Sequence, residues 1–223
     1  KVLGIHLRTG DIVHGKYRYL DRYYSKVVPF YVLDALIMRY SELGYDVVLF
    51  SQDNEACKYF KNKHGVILSN DLIEDNYDDI QRAIFDIVLM SRCVEIVGGN
   101  SGFAITASWI GNSKILKYTE LLSKEEVKFA FMDSLEGQGV LSSSFTPPLL
   151  KSFSISHYLQ SFRDMTSLLE RIDFLEKCIE IDPTNNFYRL LLALDFYKEN
   201  DFEKADEMLL EVIDSKELTN IYW

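Results

Sequence analysis

A histidine, an arginine and an aspartate stand at short spacing near the start of the chain. His6, Arg8 and Asp11 lie in the stretch GIHLRTGD, directly after an apolar run. A guanidinium holds two phosphate oxygens at once. A fixed cation also stabilises the negative charge that develops on a departing phosphate. These residue types at the end of a buried strand therefore predict a site for an anionic phosphate ester, in which Arg8 binds the phosphate.

Polar residues also follow three later apolar runs. The last of these groups comes after a double glycine and opens a predicted helix, whose first amides and positive dipole end favour a phosphate. Ligands of open α/β sheets bind beyond the carboxyl ends of the strands, so we expect all these groups at one edge. They are Gln52 and Asp53, then residues 69–71, and then Asn100, Ser101 and Gly102.

Short apolar strands alternate with helical patterns from the start of the chain to about residue 118. This alternation predicts an α/β fold with a parallel sheet that helices cover on both faces, a Rossmann-like doubly wound arrangement. The predicted strands are KVLGIHLR, DVVLFSQD, GVIL, VEIVGG and SKILKY, and the predicted helices are Tyr23 to Leu43, 54–62, Asp79 to Arg92 and Ser101 to Ile110.

The remainder of the chain has a different texture. After a nucleotide-binding domain over residues 1–136, the Gly-, Ser- and Pro-rich residues 137–160 predict a linker or long loop. Residues 161–223 form an all-helical segment that resembles tetratricopeptide repeats. The alternative is a helical hairpin that only covers apolar surface. The residues that match the repeat are Pro183, Ala193, Phe196, Ala205, Leu209 and Val212.

Residues 1–118 resemble the fucosyltransferase superfamily of GT-B glycosyltransferases, in which they match the nucleotide-binding, C-terminal half. The His-x-Arg-x-x-Asp signature, the strand end FSQD and the stretch DIVLMSRCVEIVGGNSGFAITASWIGN carry the resemblance. It implies inverting transfer of a sugar from a GDP-sugar to a glycan. It places Arg8 on the β-phosphate, His6 and Asp86 near the guanine or ribose, and Ser101 near the pyrophosphate. Asp11 either supports Arg8 or assists the acceptor.

The sequence departs from the family pattern at two positions. Gln52 replaces an acid, which leaves base recognition open, and Gly102 stands where a second hydroxyl is frequent, which removes one phosphate donor. The chain contains no Asp-x-Asp triplet of the kind that holds a divalent metal in many transferases. We therefore expect neither metal nor cofactor, with Arg8 and the helix N-terminus acting in the ion's place. The acceptor half is expected upstream of Lys1.

Charge and composition limit the partners. The net charge of −10 is concentrated in residues 164–223, whereas residues 1–30 are locally basic, which suits one anionic ligand better than nucleic acid. No apolar run predicts a membrane span, and three separated cysteines indicate reduced core thiols. We expect a cytoplasmic bacterial enzyme of cell-surface polysaccharide synthesis, acting at the inner face of the membrane. The alternative is a non-catalytic scaffold with a degenerate nucleotide-sugar domain, whose repeat-like helices bind a protein partner.

Overall fold

The protein is described by a computed structural model that covers residues 1–73 and 76–213. The chain divides into two compact units. The first consists of Lys1–Gly10 and Tyr24–Pro147, and the second of Asp11–Tyr23 together with the residues from Pro148 onward. The division therefore runs through the predicted signature, because His6 and Arg8 belong to the first unit and Asp11 to the second.

A five-stranded parallel sheet forms the centre of the first unit, in the order β3-β2-β1-β4-β5. The chain moves outward from β1 through β2 to β3, then crosses to the other side of β1 for β4 and β5. This reversal leaves a crevice beside β1 at the carboxyl end of the sheet. The strands are Val2–Leu7 (β1), Asp46–Ser51 (β2), Ile67–Leu68 (β3), Glu95–Val97 (β4) and Lys114–Leu116 (β5).

Helices connect these strands, as the alternating pattern predicts, and the α/β class is confirmed. A mixed cluster of apolar residues from β2, β4 and two helices packs them together: Val48, Phe50, Met90, Cys93, Ile96, Ala104 and Ala107. The helices up to residue 147 are Gly10–Val13 (α1), Leu33–Glu42 (α2), Asn54–His64 (α3), Asp79–Met90 (α4), Gly102–Gly111 (α5), Tyr118–Leu121 (α6) and Lys124–Glu136 (α7).

The helix predicted from Tyr23 to Leu43 is wrong in its first half. The α-helix begins only at Leu33, and 3₁₀ turns at Asp21–Lys26 and Phe30–Val32 precede it. Pro29 explains the difference, because a proline has no N–H to donate and forces the residue before it away from helical angles. Its own backbone is extended, with φ −66° and ψ 138°.

The second unit contains four further α-helices. Each packs against the next in the chain, so they form a consecutive helical array. Ser167 and Glu170 form a capping box at the start of α9, and the side chain of Asn185 accepts a hydrogen bond at the start of α10. The four are Pro148–Ser161 (α8), Leu168–Ile181 (α9), Asn186–Lys198 (α10) and Phe202–Ile213 (α11).

The stretch 137–160, predicted to be a linker or loop, differs from the structure in its second half. There α8 begins at Pro148, a residue type well suited to the first helical position. Leu150 and residues 152–159 of α8 are all buried, so this segment is part of a core. Helix α8 was not predicted because the serines of this stretch interrupt the apolar periodicity that identifies a helix.

The repeat-like pattern is matched only partly. Ala193, Phe196, Ala205 and Val212 are buried, but Leu209 is 37% exposed. The last ten residues of the predicted segment lie outside the described residues. Within residues 1–73 and 76–213, no helix has both the length and the apolar character needed to cross a bilayer. The three cysteines are buried free thiols: Cys57, Cys93 and Cys178.

Candidate functional site

A cavity of about 460 Å³ lies in the first unit, at the carboxyl ends of β1, β2 and β3. Its walls come from residues at or beyond these strand ends, from one face of α4 and from the first turn of α5. The volume is within the range of small-molecule sites. The lining residues are His6, Leu7, Arg8, Phe50, Ser51, Gln52, Asn70, Asp79, Arg82, Ala83, Asp86 and Phe103.

His6 lies at the base of this cavity and is only 8% exposed. Its ring stacks on Phe103 with 5.3 Å between centroids and 16° between planes. Burial, and then the charge of Arg8, lower the pKa of His6 to about 4, so the imidazole is neutral near pH 7. Its Nδ1 is buried and has no hydrogen-bond partner among the described residues. That nitrogen is therefore available to a ligand.

The face of α4 that lines the cavity carries side chains at helical spacing: Asp79, Arg82, Ala83 and Asp86. The helix start is held by a capping box between Asp78 and Gln81, in which each backbone N–H donates to the other side chain. Such a box satisfies two amides that the helix itself cannot bind. The cap thus fixes which face of α4 turns toward the sheet edge.

Asp86 is the most perturbed acid of the cavity. Burial raises its pKa, and a hydrogen bond with Ser69, which follows β3, opposes that shift. Its Oδ1 atom is buried and accepts no hydrogen bond from the described residues. A buried carboxylate oxygen without a donor is energetically costly. A ligand N–H or O–H group would satisfy it.

Phe103 and Arg82 are among the cavity residues for which the sequence predicted no role. Phe103 provides the stacking surface for His6. Arg82 has its Nε hydrogen-bonded to the carbonyl oxygen of Tyr77, at 3.0 Å. The available signal was spacing, because Arg82 stands four residues before Asp86 and must share its helix face.

The residues predicted from the double-glycine loop lie outside the cavity lining. Asn100, Ser101 and Gly102 are absent from the cavity lining, and α5 reaches the cavity through Phe103. The N–H of Asn100 donates to Ser25 O at 2.8 Å, and the N–H of Ser101 to Gly99 O at 2.7 Å. Two of the predicted phosphate donors are therefore occupied by protein carbonyls.

The second glycine of that loop has a packing role. A Cβ on Gly99 would lie 2.3 Å from a backbone atom of Lys26, so only glycine fits there. Ser101 is buried and makes no side-chain capping hydrogen bond to α5. A Cβ on Gly102 would meet nothing within 4 Å, which leaves open space beside the first turn of α5.

The remaining predicted site residues divide between the two units. Gln52 lines the cavity, and its Oε1 would be 2.1 Å from a Cβ on Gly10, so the two residues are in close contact. Asp53 is buried at the start of α3, with its N–H on Ser51 Oγ at 2.9 Å, and is absent from the lining. Asp11 belongs to the second unit, in α1, and its predicted catalytic role stays a prediction.

The chemistry open to this cavity is that of binding by charge, stacking and hydrogen bonds. Among residues 1–73 and 76–213, no three His, Cys, Asp or Glu side chains gather closely enough to hold a metal ion. The chain matches no protein-family model, no curated protein and no solved structure in comparisons with all three.

Proposed function

We propose that the first unit binds the nucleoside diphosphate part of a nucleotide sugar, as the donor-binding half of a fucosyltransferase-like glycosyltransferase. One observation carries this proposal. Arg8 lines a cavity at the sheet edge together with His6 and Asp86, two residues with buried polar atoms that await a partner. The strand order, with its reversal at β1, supports a Rossmann-like fold of the kind that forms the C-terminal half of a GT-B enzyme.

The charge that develops during sugar transfer gives Arg8 a catalytic role. As the bond between the anomeric carbon and the β-phosphate oxygen breaks, negative charge grows on the leaving diphosphate. A guanidinium fixed at that oxygen stabilises the transition state more than the ground state and so accelerates transfer. With Arg8 in this role, the inverting reaction needs no metal ion. An acceptor hydroxyl attacks from the opposite face and loses its proton to a general base.

Two further lining residues, Asp86 and His6, suit a base and ribose. Guanine presents two adjacent N–H donors on its Watson–Crick edge, and the Oδ1 of Asp86 is a buried acceptor without a donor. The neutral ring of His6, stacked on Phe103, adds one nitrogen for a ribose hydroxyl or a base atom. These contacts favour GDP-sugars as donors, a glycan of the bacterial cell surface being the acceptor.

A second candidate function has its own observation. Helix α11 exposes Leu210 by 64% and Ile213 by 74%, and such apolar surface is typical of protein contacts. The rival proposal is a non-catalytic scaffold, in which repeat-like helices bind a partner and the sheet domain has lost turnover. The two proposals differ in whether the cavity binds a nucleotide.

Calorimetric titration of the whole chain with GDP, UDP and ADP, with and without chelator, tests the enzyme proposal. We expect GDP to bind best and the chelator to have no effect. Arg8→Gln should weaken GDP binding by about 10- to 100-fold, since a charge-assisted hydrogen bond is lost. Arg92→Gln is the matched control, because Arg92 is exposed and lies outside the cavity. Absence of binding for all three nucleotides would favour the scaffold.

A further inference from the structure

Arg82 is a half-buried cation in the cavity wall that the proposed reaction has not used. It projects from α4, whereas Arg8 follows β1, so the two guanidinium groups reach the cavity from different elements. The chain therefore supplies the cavity with two cationic side chains held independently of each other.

Among the described residues, only the Nε–H group of the Arg82 guanidinium has a hydrogen-bond partner. Its Nε–H donates to Tyr77 O at 3.0 Å, which fixes the plane of the group. The four N–H bonds on its terminal nitrogens make no hydrogen bond to the residues that the structure describes, and no carboxylate there pairs with it within 4.0 Å. A bound anion would give the remaining N–H groups of this half-buried cation charge-assisted hydrogen bonds.

The nearby acids do not neutralise Arg82. Asp79 and Asp86 share its face of α4, yet neither forms an ion pair with it. The cavity lining thus carries two guanidinium groups on different elements, a pattern that suits a ligand with two linked anionic groups better than one with a single group.

We propose that Arg82 is a second anion-binding residue of this cavity, and that Arg8 and Arg82 together hold the two phosphates of a diphosphate. The inference rests on the proposed function for the chemical class of the ligand. It makes Arg82 a determinant of specificity, because a diphosphate would engage both arginines and a monophosphate only one. The diphosphate product of transfer would likewise stay bound more tightly than a monophosphate.

Inorganic pyrophosphate and inorganic phosphate are the probes, titrated calorimetrically into the whole chain at low ionic strength. We expect the wild-type protein to bind pyrophosphate more tightly than phosphate. Arg82→Gln should weaken pyrophosphate binding by about 10-fold or more and reduce its preference over phosphate. Arg82→Lys should restore part of the affinity, since it keeps the charge but not the bidentate geometry. Arg92→Gln should bind both probes as the wild type does.

Two results would overturn the inference: no pyrophosphate binding by the wild type, or equal binding by wild type and Arg82→Gln when thermal unfolding shows both folded. Should Arg82→Gln fail to fold, Arg82→Lys decides, since unchanged pyrophosphate affinity in that variant also overturns it. Pyrophosphate binding that depends on both arginines, without tighter binding of any nucleoside diphosphate, would sustain this inference and contradict the proposed function.

Discussion

Asp195 and Asp182 in the second unit differ from Asp86 in the first in how their carboxylates are hydrogen-bonded. In the second unit Asp195 is 1% exposed, and its carboxylate binds both Arg163 and Arg171, the latter at 3.0 Å through Nε. Asp182 is also buried there and accepts hydrogen bonds from Arg18 at 3.2 Å and from Thr184 at 2.9 Å. These carboxylates find their partners within the protein.

In the first unit, buried polar atoms remain without such partners. They are Nδ1 of His6, Oγ1 of Thr9 and Oδ1 of Asp86, none of which has a hydrogen-bond partner among the described residues. Two of these three residues line the cavity. Each buried unsatisfied group costs about 1–3 kcal/mol. A ligand in the cavity could supply the missing partner to His6 and Asp86.

Carboxylates therefore have two different roles in the two units. A carboxylate that the protein pairs with two guanidinium groups holds helices together, as Asp195 does for α9 and α10. A carboxylate with an oxygen that accepts no hydrogen bond from the described residues costs stability, as for Asp86, and under the proposed function that oxygen accepts from the ligand. Substitutions in the two units should therefore differ in their effect on stability and, in the cavity, trade stability against binding.

The largest effect is expected for Asp195→Ala. Removal of one partner from a buried ion pair leaves uncompensated charge, and the loss of unfolding free energy should be about 3–5 kcal/mol. Urea denaturation of the whole chain measures it. Asp173→Ala is the control, because Asp173 pairs with Lys177 on the surface with 61% of its side chain exposed, and its loss should be at most about 0.5 kcal/mol. Equal effects of both variants would contradict the structural role of Asp195.

The next effect concerns the acid stability of the first unit. The pKa of His6 falls from 6.5 to about 4 in the folded chain. Between these values the unfolded state binds the proton and the folded state does not, so stability declines as pH falls from 6.5 toward 4. The decline from this group reaches about 3 kcal/mol at pH 4. In His6→Gln the difference in unfolding free energy between pH 7 and pH 4 should shrink by about that amount.

The matched control for this pH dependence is His14→Gln, in which an exposed histidine is removed instead. It should retain the wild-type decline from pH 7 to pH 4. The expectation for His6 would be refuted by a His6→Gln protein whose unfolding free energy varies with pH as steeply as that of the wild type. Such a result would mean that the imidazole is solvated in the folded chain, so that Nδ1 is not held for a ligand.

Much of the first unit followed from local sequence signals. All five strands and the helices α3, α4 and α5 lie where apolar runs, the Asp78 cap and glycine stops place them. Gly65, for example, ends α3 in the left-handed conformation with φ 70°. Polar residues after the strands then led to His6, Arg8 and Gln52, because parallel strands bring their carboxyl ends to one edge.

The failures came from contacts between residues distant in sequence. No local pattern shows that Asn100 N–H meets Ser25 O, so its loop was assigned to phosphate binding. Nor does one show that Arg18 pairs with Asp182, 164 residues away, inside the second unit. Residues 11–23 were accordingly placed in the nucleotide-binding domain from the sequence, whereas they cluster with the second unit. Arg82 was not predicted because, of the residues on that face of α4, only Asp86 was considered as a site residue.

The smallest effect, and the sharpest one for the comparison, is expected for Asp86→Asn. Burial raises the pKa of Asp86 in the folded chain, so ionisation at neutral pH costs stability that is not lost in acid, where the carboxyl is protonated in both states. The amide removes that charge, and at pH 7 the variant should be more stable than wild type by up to about 1 kcal/mol. Denaturation at pH 7 and at about pH 3 should show this gain at the higher pH only.

A gain in stability at Asp86 should accompany a loss of function. GDP binding by Asp86→Asn should weaken by about 10-fold or more, because the amide offers one neutral acceptor oxygen in place of the two charged oxygens of the carboxylate. Asp79→Asn is the matched control on the same helix, and its stability should change in the opposite direction. Asp79 lies in the first turn of α4, where a carboxylate favours the helix dipole by about 0.3–1 kcal/mol. If Asp86→Asn instead destabilised the fold as Asp195→Ala does, Asp86 would be a structural carboxylate and the contrast between the units would disappear.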